Sequence, residues 1–72
     1  MFDYAKLRGK IREVFGSNRN FAKAMEMDYS ALSNKLNKKS PWKEEEIEKA
    51  CYLLGIPIEE VWLYFFNSKV VK

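Results

Sequence analysis

Apolar residues recur along the chain at the spacing of helices. Leu7, Ile11, Val14 and Phe15 fall at i, i+4, i+7 and i+8, which puts them on one helical face. They predict a first helix over Asp3–Phe15, with Asp3 as N-cap, Phe2 and Leu7 at staple spacing and Gly16 as the stop. Gly9 falls inside that helix at a cost of about 0.5–1 kcal/mol relative to Ala, and close packing of a neighbour is the expected reason. Phe21, Ala22 and Met25 make an inward stripe for a second helix, Asn18–Met25, capped by the hydroxyl of Ser17. Ala31, Leu32 and Leu36 do the same for a third, Tyr29–Asn37, with Asp28 as its cap and Met27 and Leu32 at staple spacing. Only Glu26–Met27 separates the two, which demands a sharp corner.

After a loop over Lys38–Lys43, a fourth helix is expected to start between Pro41 and Glu44. Ile47, Ala50, Cys51 and Leu54 form its buried stripe and Gly55 closes it. Pro57 starts a short fifth helix, with Ile56 and Val61 at staple spacing. The apolar run Val61–Phe66 then meets the polar tail Asn67–Lys72. No segment shows clear strand alternation, apart from a weak pattern in the tail, and there is no internal repeat. The reading is all-α: five helices forming a single domain over residues 1–66, with a tail over 67–72. A 72-residue chain buries only about 60% of its unfolded surface, so nearly every stripe must contribute.

On the third helix, Tyr29, Ser30, Ser33, Asn34 and Asn37 line up opposite Leu32 and Leu36. Short hydroxyl and amide side chains on an open helix face suit base-edge reading, because Asn pairs bidentately with adenine and Ser bonds to several bases. Lys38, Lys39 and Lys43 follow at once, within reach of backbone phosphates. Charge reinforces the pattern. The net charge of +3 divides into +6 over residues 1–43, with ten Lys/Arg and four acids, and −3 over residues 44–72, with three Lys and six Glu. The half holding the corner is therefore the half that attracts phosphate.

Other chemistry lacks its residues. With no histidine, neither His acid–base catalysis nor His metal ligation is available. One cysteine, Cys51, makes neither a disulfide nor a zinc site, fits a reducing compartment, and falls on an apolar stripe as core filler. The three glycines are scattered, so no loop cradles phosphate. The acids at Glu44–Glu48 point in different directions around a helix start, as a solvated turn does. No enzyme, cofactor, metal or small-molecule substrate is expected. There is no apolar run of about 18 residues, so no membrane span, and the N-terminus lacks a signal-peptide core, which predicts a cytoplasmic location. Trp62, Tyr64, Phe65 and Phe66 allow two readings: a C-terminal plug for a thin core, or a surface for a homodimer or partner, where aromatics concentrate.

The small Ala22, the spacing to Leu32 and the terminal Lys35–Leu36–Asn37 resemble the helix-turn-helix of Cro/C1-type regulators of temperate phages. That group includes small Cro-like repressors and modulator-of-repression (antirepressor) proteins. The corner position usually held by Gly is Glu26 here, and the Gln usual at the start of the first motif helix is Asn18. The opening MFDYAKLRGKI, the Pro41–Trp42–Lys43 loop and the closing GIP…YFFN carry the likeness over residues 3–66. The resemblance implies a five-helix lambda-repressor-like domain with its motif at helices two and three. It further implies two functions within a lysis–lysogeny switch, which do not exclude each other. In the first, the third helix enters the major groove of double-stranded operator DNA. Tyr29, Ser30, Ser33 and Asn34 then meet bases, while Asn18, Arg19, Lys35, Lys38 and Lys39 grip phosphates, with Asn37 on the same face. In the second, the chain binds a partner phage repressor, Glu26 and Asp28 meeting its basic residues and Tyr29 serving as anchor.

Overall fold

The structure, a computed structural model, describes residues 4–65. Five α-helices run in the order α1 (Ala5–Phe15), α2 (Asn18–Met25), α3 (Tyr29–Leu36), α4 (Glu44–Leu54) and α5 (Val61–Phe65), with a 3-10 turn, Ile58–Glu60, leading into α5. Among the described residues there is no strand.

α1 begins later than its pattern suggests. Tyr4 occupies the N-cap position without a side-chain cap, while Asp3 and Phe2 lie outside the described residues. Gly16 ends α1 in the left-handed region, φ 86°, and its N–H donates to the Arg12 carbonyl. Gly9 is not explained by close packing. A Cβ there would meet nothing within 4 Å, so the expectation of a tight neighbour is wrong and the glycine's cost is uncompensated by contacts. Val14, expected on the inward face, is 45% exposed, because the helix turns it past the core.

Ser17 caps α2 as expected, its Oγ accepting from the Asn20 N–H at 3.1 Å. Glu26 takes φ 63°, ψ 40°. Its N–H donates to Lys23 O, and the Met27 N–H reaches back to Ala22 O, both at 3.0 Å. This pairing is a Schellman motif, the arrangement that normally places glycine in the left-handed position. The same pairing closes α4, where Gly55 (φ 69°) holds that position and Ile56 N–H donates to Cys51 O at 2.9 Å. It closes α3 as well, with Lys38 at φ 64° and Lys39 N–H on Asn34 O at 2.8 Å. α3 therefore ends at Leu36, one residue short of the expected Asn37. Asp28 does sit at its N-cap position, but its carboxylate makes no capping hydrogen bond.

The core draws on every helix. Leu7 and Ile11 of α1, Phe21 of α2 and Leu32 of α3 are completely buried, joined by Ala22, Met25, Leu36, Ala50, Cys51, Leu54, Ile56, Tyr64 and Phe65. Phe15 packs on Phe21, ring centroids 5.3 Å apart. Trp42 stands edge-on to Phe65 at 5.1 Å, its indole N–H sealed from solvent without an acceptor. The fifth element differs from the single short helix expected after Pro57. Its first turn is 3-10, which leaves Ile58 77% exposed before α5 resumes inward contact. Tyr64 and Phe65 thus serve the plug reading and are not surface residues, whereas Trp62 remains 55% exposed and Phe66 lies outside the described residues. No described helix is long and apolar enough to cross a membrane.

Candidate functional site

The α2–α3 corner positions one exposed face. The left-handed Glu26 turns the chain sharply, and Leu32 and Leu36 pin the inner side of α3 to the core. The opposite side is thereby held toward solvent. Tyr29, Ser30 and Asn34 are exposed there, and Lys38 and Lys39 are exposed just beyond the helix end.

Tyr29 does not stand alone. The Arg19 guanidinium lies over its ring, 4.7 Å from the centroid, so α2 braces the first residue of α3. Such a stack stabilises by about 0.5–1 kcal/mol at an exposed site and holds both side chains in place. Asn18, beside Arg19, is half-buried. Glu26 and Asp28, at the turn before Tyr29, are exposed. The Glu26 carboxylate lies 3.4 Å from Lys49 Nζ with 82% of its side chain in solvent, so that pair contributes little. Two exposed carboxylates thus precede Tyr29 in the chain.

Three other residues expected on this face have internal duties. Ser33 is half-buried and its Oγ accepts from Asn37 Nδ2 at 3.3 Å. Asn37 Oδ1 in turn accepts from Arg8 at 2.9 Å, and the same guanidinium nitrogen donates to Leu36 O at 2.8 Å. Arg8 therefore ties the end of α3 to α1. Lys35 corrects the phosphate-gripping role expected of it. It is only 9% exposed, donates to Pro41 O at 3.0 Å and pairs with Glu46 at 3.1 Å. Its aliphatic stem packs beside the Leu32–Leu36 stripe while the ammonium reaches a carboxylate across the loop. Glu46 also accepts from the Lys43 N–H at 2.9 Å, ordering the start of α4. Burial pushes its carboxyl upward, but that hydrogen bond and the Lys35 ammonium outweigh it and hold the group below its ordinary value. Burial alone pushes the Cys51 thiol up, as befits a core filler.

The ties of Arg8, Arg19 and Lys35 have no signal in the sequence, whereas Asn37 to Ser33 and Lys43 to Glu46 fall at ordinary helical spacing. Arg8 and Asn37 are 29 residues apart, Arg19 and Tyr29 have no helical spacing, and Lys35 looks like any surface lysine. Among the described residues no group of three or more His, Cys, Asp or Glu is placed to hold a metal ion.

The geometry defines a small all-α domain that presents a helix–corner–helix face, half tethered and half open. The chain belongs to the family described as "Protein of unknown function (DUF739)", which matches residues 1–68. It is similar to the modulator of repression (MOR) of the temperate bacteriophage TP901-1 from Lactococcus lactis, with 44% sequence identity. The solution structure of that protein superposes with a TM-score of 0.82, over 97% of this chain and 95% of that one. No curated protein matches significantly.

Proposed function

We propose that this chain is a phage antirepressor, a non-catalytic protein that binds a partner repressor through its α2–α3 corner and blocks or alters that repressor's hold on operator DNA. The likeness to a modulator of repression over almost the whole of both chains carries this reading. The corner's chemistry agrees with it. Glu26 and Asp28 offer exposed carboxylates where a DNA-reading surface would meet phosphates, and they suit the basic surface of a repressor instead. Tyr29, held by Arg19, supplies an ordered aromatic anchor. A second reading, direct operator binding as a Cro/C1-type helix-turn-helix regulator, draws on exposed Ser30 and Asn34 with Lys38 and Lys39 alongside. Against it, Lys35, Ser33 and Asn37 are already engaged within the protomer, and no Arg or Gln stands on the reading face.

The test is a titration against operator DNA, with and without the cognate repressor, at two salt concentrations. An antirepressor leaves DNA alone unshifted and strips or changes the repressor–operator complex. Tyr29→Ala weakens that effect at least about tenfold, as loss of an anchor does. Specific binding to DNA alone, falling steeply with salt and lost in Asn34→Ala, would establish the operator-binding reading instead.

A further inference from the structure

α4 has a second surface, turned away from the corner. Lys49 reaches Glu26 and the Met25 carbonyl on one side of the helix. Glu44, Ile47, Glu48 and Cys51 follow at i, i+3, i+4 and i+7, which puts them together on another. There they join Trp42, Ile56, Ile58 and Val61 around a groove of about 620 Å³. Cys51 and Ile56 are buried in it, Ile58 stands 77% exposed at its lip, and Glu44 and Glu48 are exposed at its rim. Apolar surface continues on the same two elements, with Tyr52 of α4 85% exposed and Trp62 of α5 55% exposed. An isolated exposed isoleucine is unremarkable, but a recessed apolar floor with an exposed apolar lip marks a place where something docks.

We infer that this groove is a docking site for a basic amphipathic helix of a second protein, separate from the corner and free while the corner is engaged. Charge selects the occupant. From residue 42, the first of the lining, to residue 65 the chain carries six glutamates and two basic residues, Lys43 and Lys49, and Lys49 faces the corner. A helix that lays apolar side chains at i, i+3 or i+4 and i+7 on the floor would bring flanking lysines or arginines to Glu44 and Glu48. Backbone chemistry selects the conformation. The described domain has no strand edge to complete, so an extended peptide would leave its N–H and C=O groups unpaired against an apolar wall. A helix satisfies its own. A second copy of this chain is a poor occupant, since Leu7 and Ile11 of the basic helix α1 are fully buried and Val14 alone of its large apolar side chains is exposed, one residue and not a stripe. No described helix combines an exposed apolar stripe with basic flanks.

The proposal does not depend on the identity of the corner's partner. Its test uses a synthetic helical peptide with leucines at i, i+4 and i+7 and lysines elsewhere, and a counterpart with glutamates in place of the lysines. Amide chemical shifts of the full chain are followed during titration. The lysine peptide is expected to saturate and to shift Ile47, Glu48, Cys51, Ile58 and Val61, leaving Tyr29 and Ser30 unmoved. The paired variant Glu44→Lys with Glu48→Lys should weaken it at least tenfold and take up the glutamate peptide instead. Helicity of the variant by circular dichroism, together with that exchanged preference, separates lost binding from lost fold. No saturable shift at the groove overturns the proposal, and so does equal binding of both peptides. Concentration-dependent shifts of the same amides without peptide would make a second copy the occupant and overturn it as well.

Discussion

At the α2–α3 corner the outward side chains are polar or charged around one aromatic, Tyr29, and several are tethered: Asn37 to Arg8 and Ser33, Tyr29 under Arg19. Along the α4–α5 groove the outward side chains are large and apolar, and the ionic groups sit only at the rim. The corner is built for directional contacts, in which a hydrogen bond or charge must meet its mate in register. The groove offers area, on which shape and exclusion of water would supply affinity and charge the choice of partner. The two also differ in sign, since the corner belongs to the basic part of the chain and the groove to the acidic part. A molecule this small thus carries two unlike surfaces on one core.

The harshest way to break the comparison is to remove what both surfaces share. Leu32 is completely buried beneath the corner. Leu32→Ala should cost about 2–5 kcal/mol through lost transfer and the cavity left behind. A chain of 72 residues has about 4–11 kcal/mol in total, so much of the stability goes. Urea unfolding followed by amide resonances on α3 and on α4 should then give one coincident transition shifted to lower urea. Separate transitions would mean that corner and groove are independent units.

A gentler cut falls on the seam between them. Lys35 at the end of α3 and Glu46 at the start of α4 form a pair with side chains only 11% and 21% exposed. Glu46→Gln keeps an acceptor but removes the charge, and should cost about 1–2 kcal/mol. The folded carboxyl is held below its ordinary value, so its contribution is complete above the unfolded range near pH 4.3 and disappears as pH falls through the folded value. The gap between wild type and variant should therefore be widest near neutrality and close on acidification. A gap that stays constant with pH would remove the ion pair from the account of the seam.

The way these regions were legible in the sequence follows the same division. Periodicity locates α2, α3 and the Ser17 cap, because each is a local consequence of spacing, while the helix-turn-helix resemblance, with Gly usual at the corner, singles out Glu26. Neither reveals Lys38 in the left-handed region, since no glycine announces it, nor Lys35 inside, since a lysine reads as surface. The groove escaped for a different reason. The spacing puts Ile47 on the buried stripe of its helix, but it is only partly buried and lines the groove beside the exposed Ile58 of the 3-10 turn. Inward stripes say which residues leave water, not whether the opposing element arrives to cover them.

Gly9 offers a control belonging to neither surface. With nothing within 4 Å of an added Cβ, Gly9→Ala should stabilise by about 0.5–1 kcal/mol and leave both surfaces unaltered. Thermal unfolding and the repressor titration check the two halves of that statement.

The smallest change sharpens the comparison most. Glu26 and Gly55 occupy equivalent positions in matching Schellman motifs, at φ 63° and 69°, yet only one is glycine. A side chain costs about 1 kcal/mol in that region, partly offset because glycine gives up more freedom on folding. Glu26→Gly should thus stabilise the fold by about 0.5 kcal/mol, even with the weak Lys49 pair gone. If the glutamate is kept for the partner, the same variant should bind the repressor more weakly while melting at a higher temperature. Opposite signs in the two measurements would place the cost of the strained corner in recognition. A variant that gains stability and binds as well as before would show that Glu26 has no part in the contact, leaving Asp28 and Tyr29 to carry it.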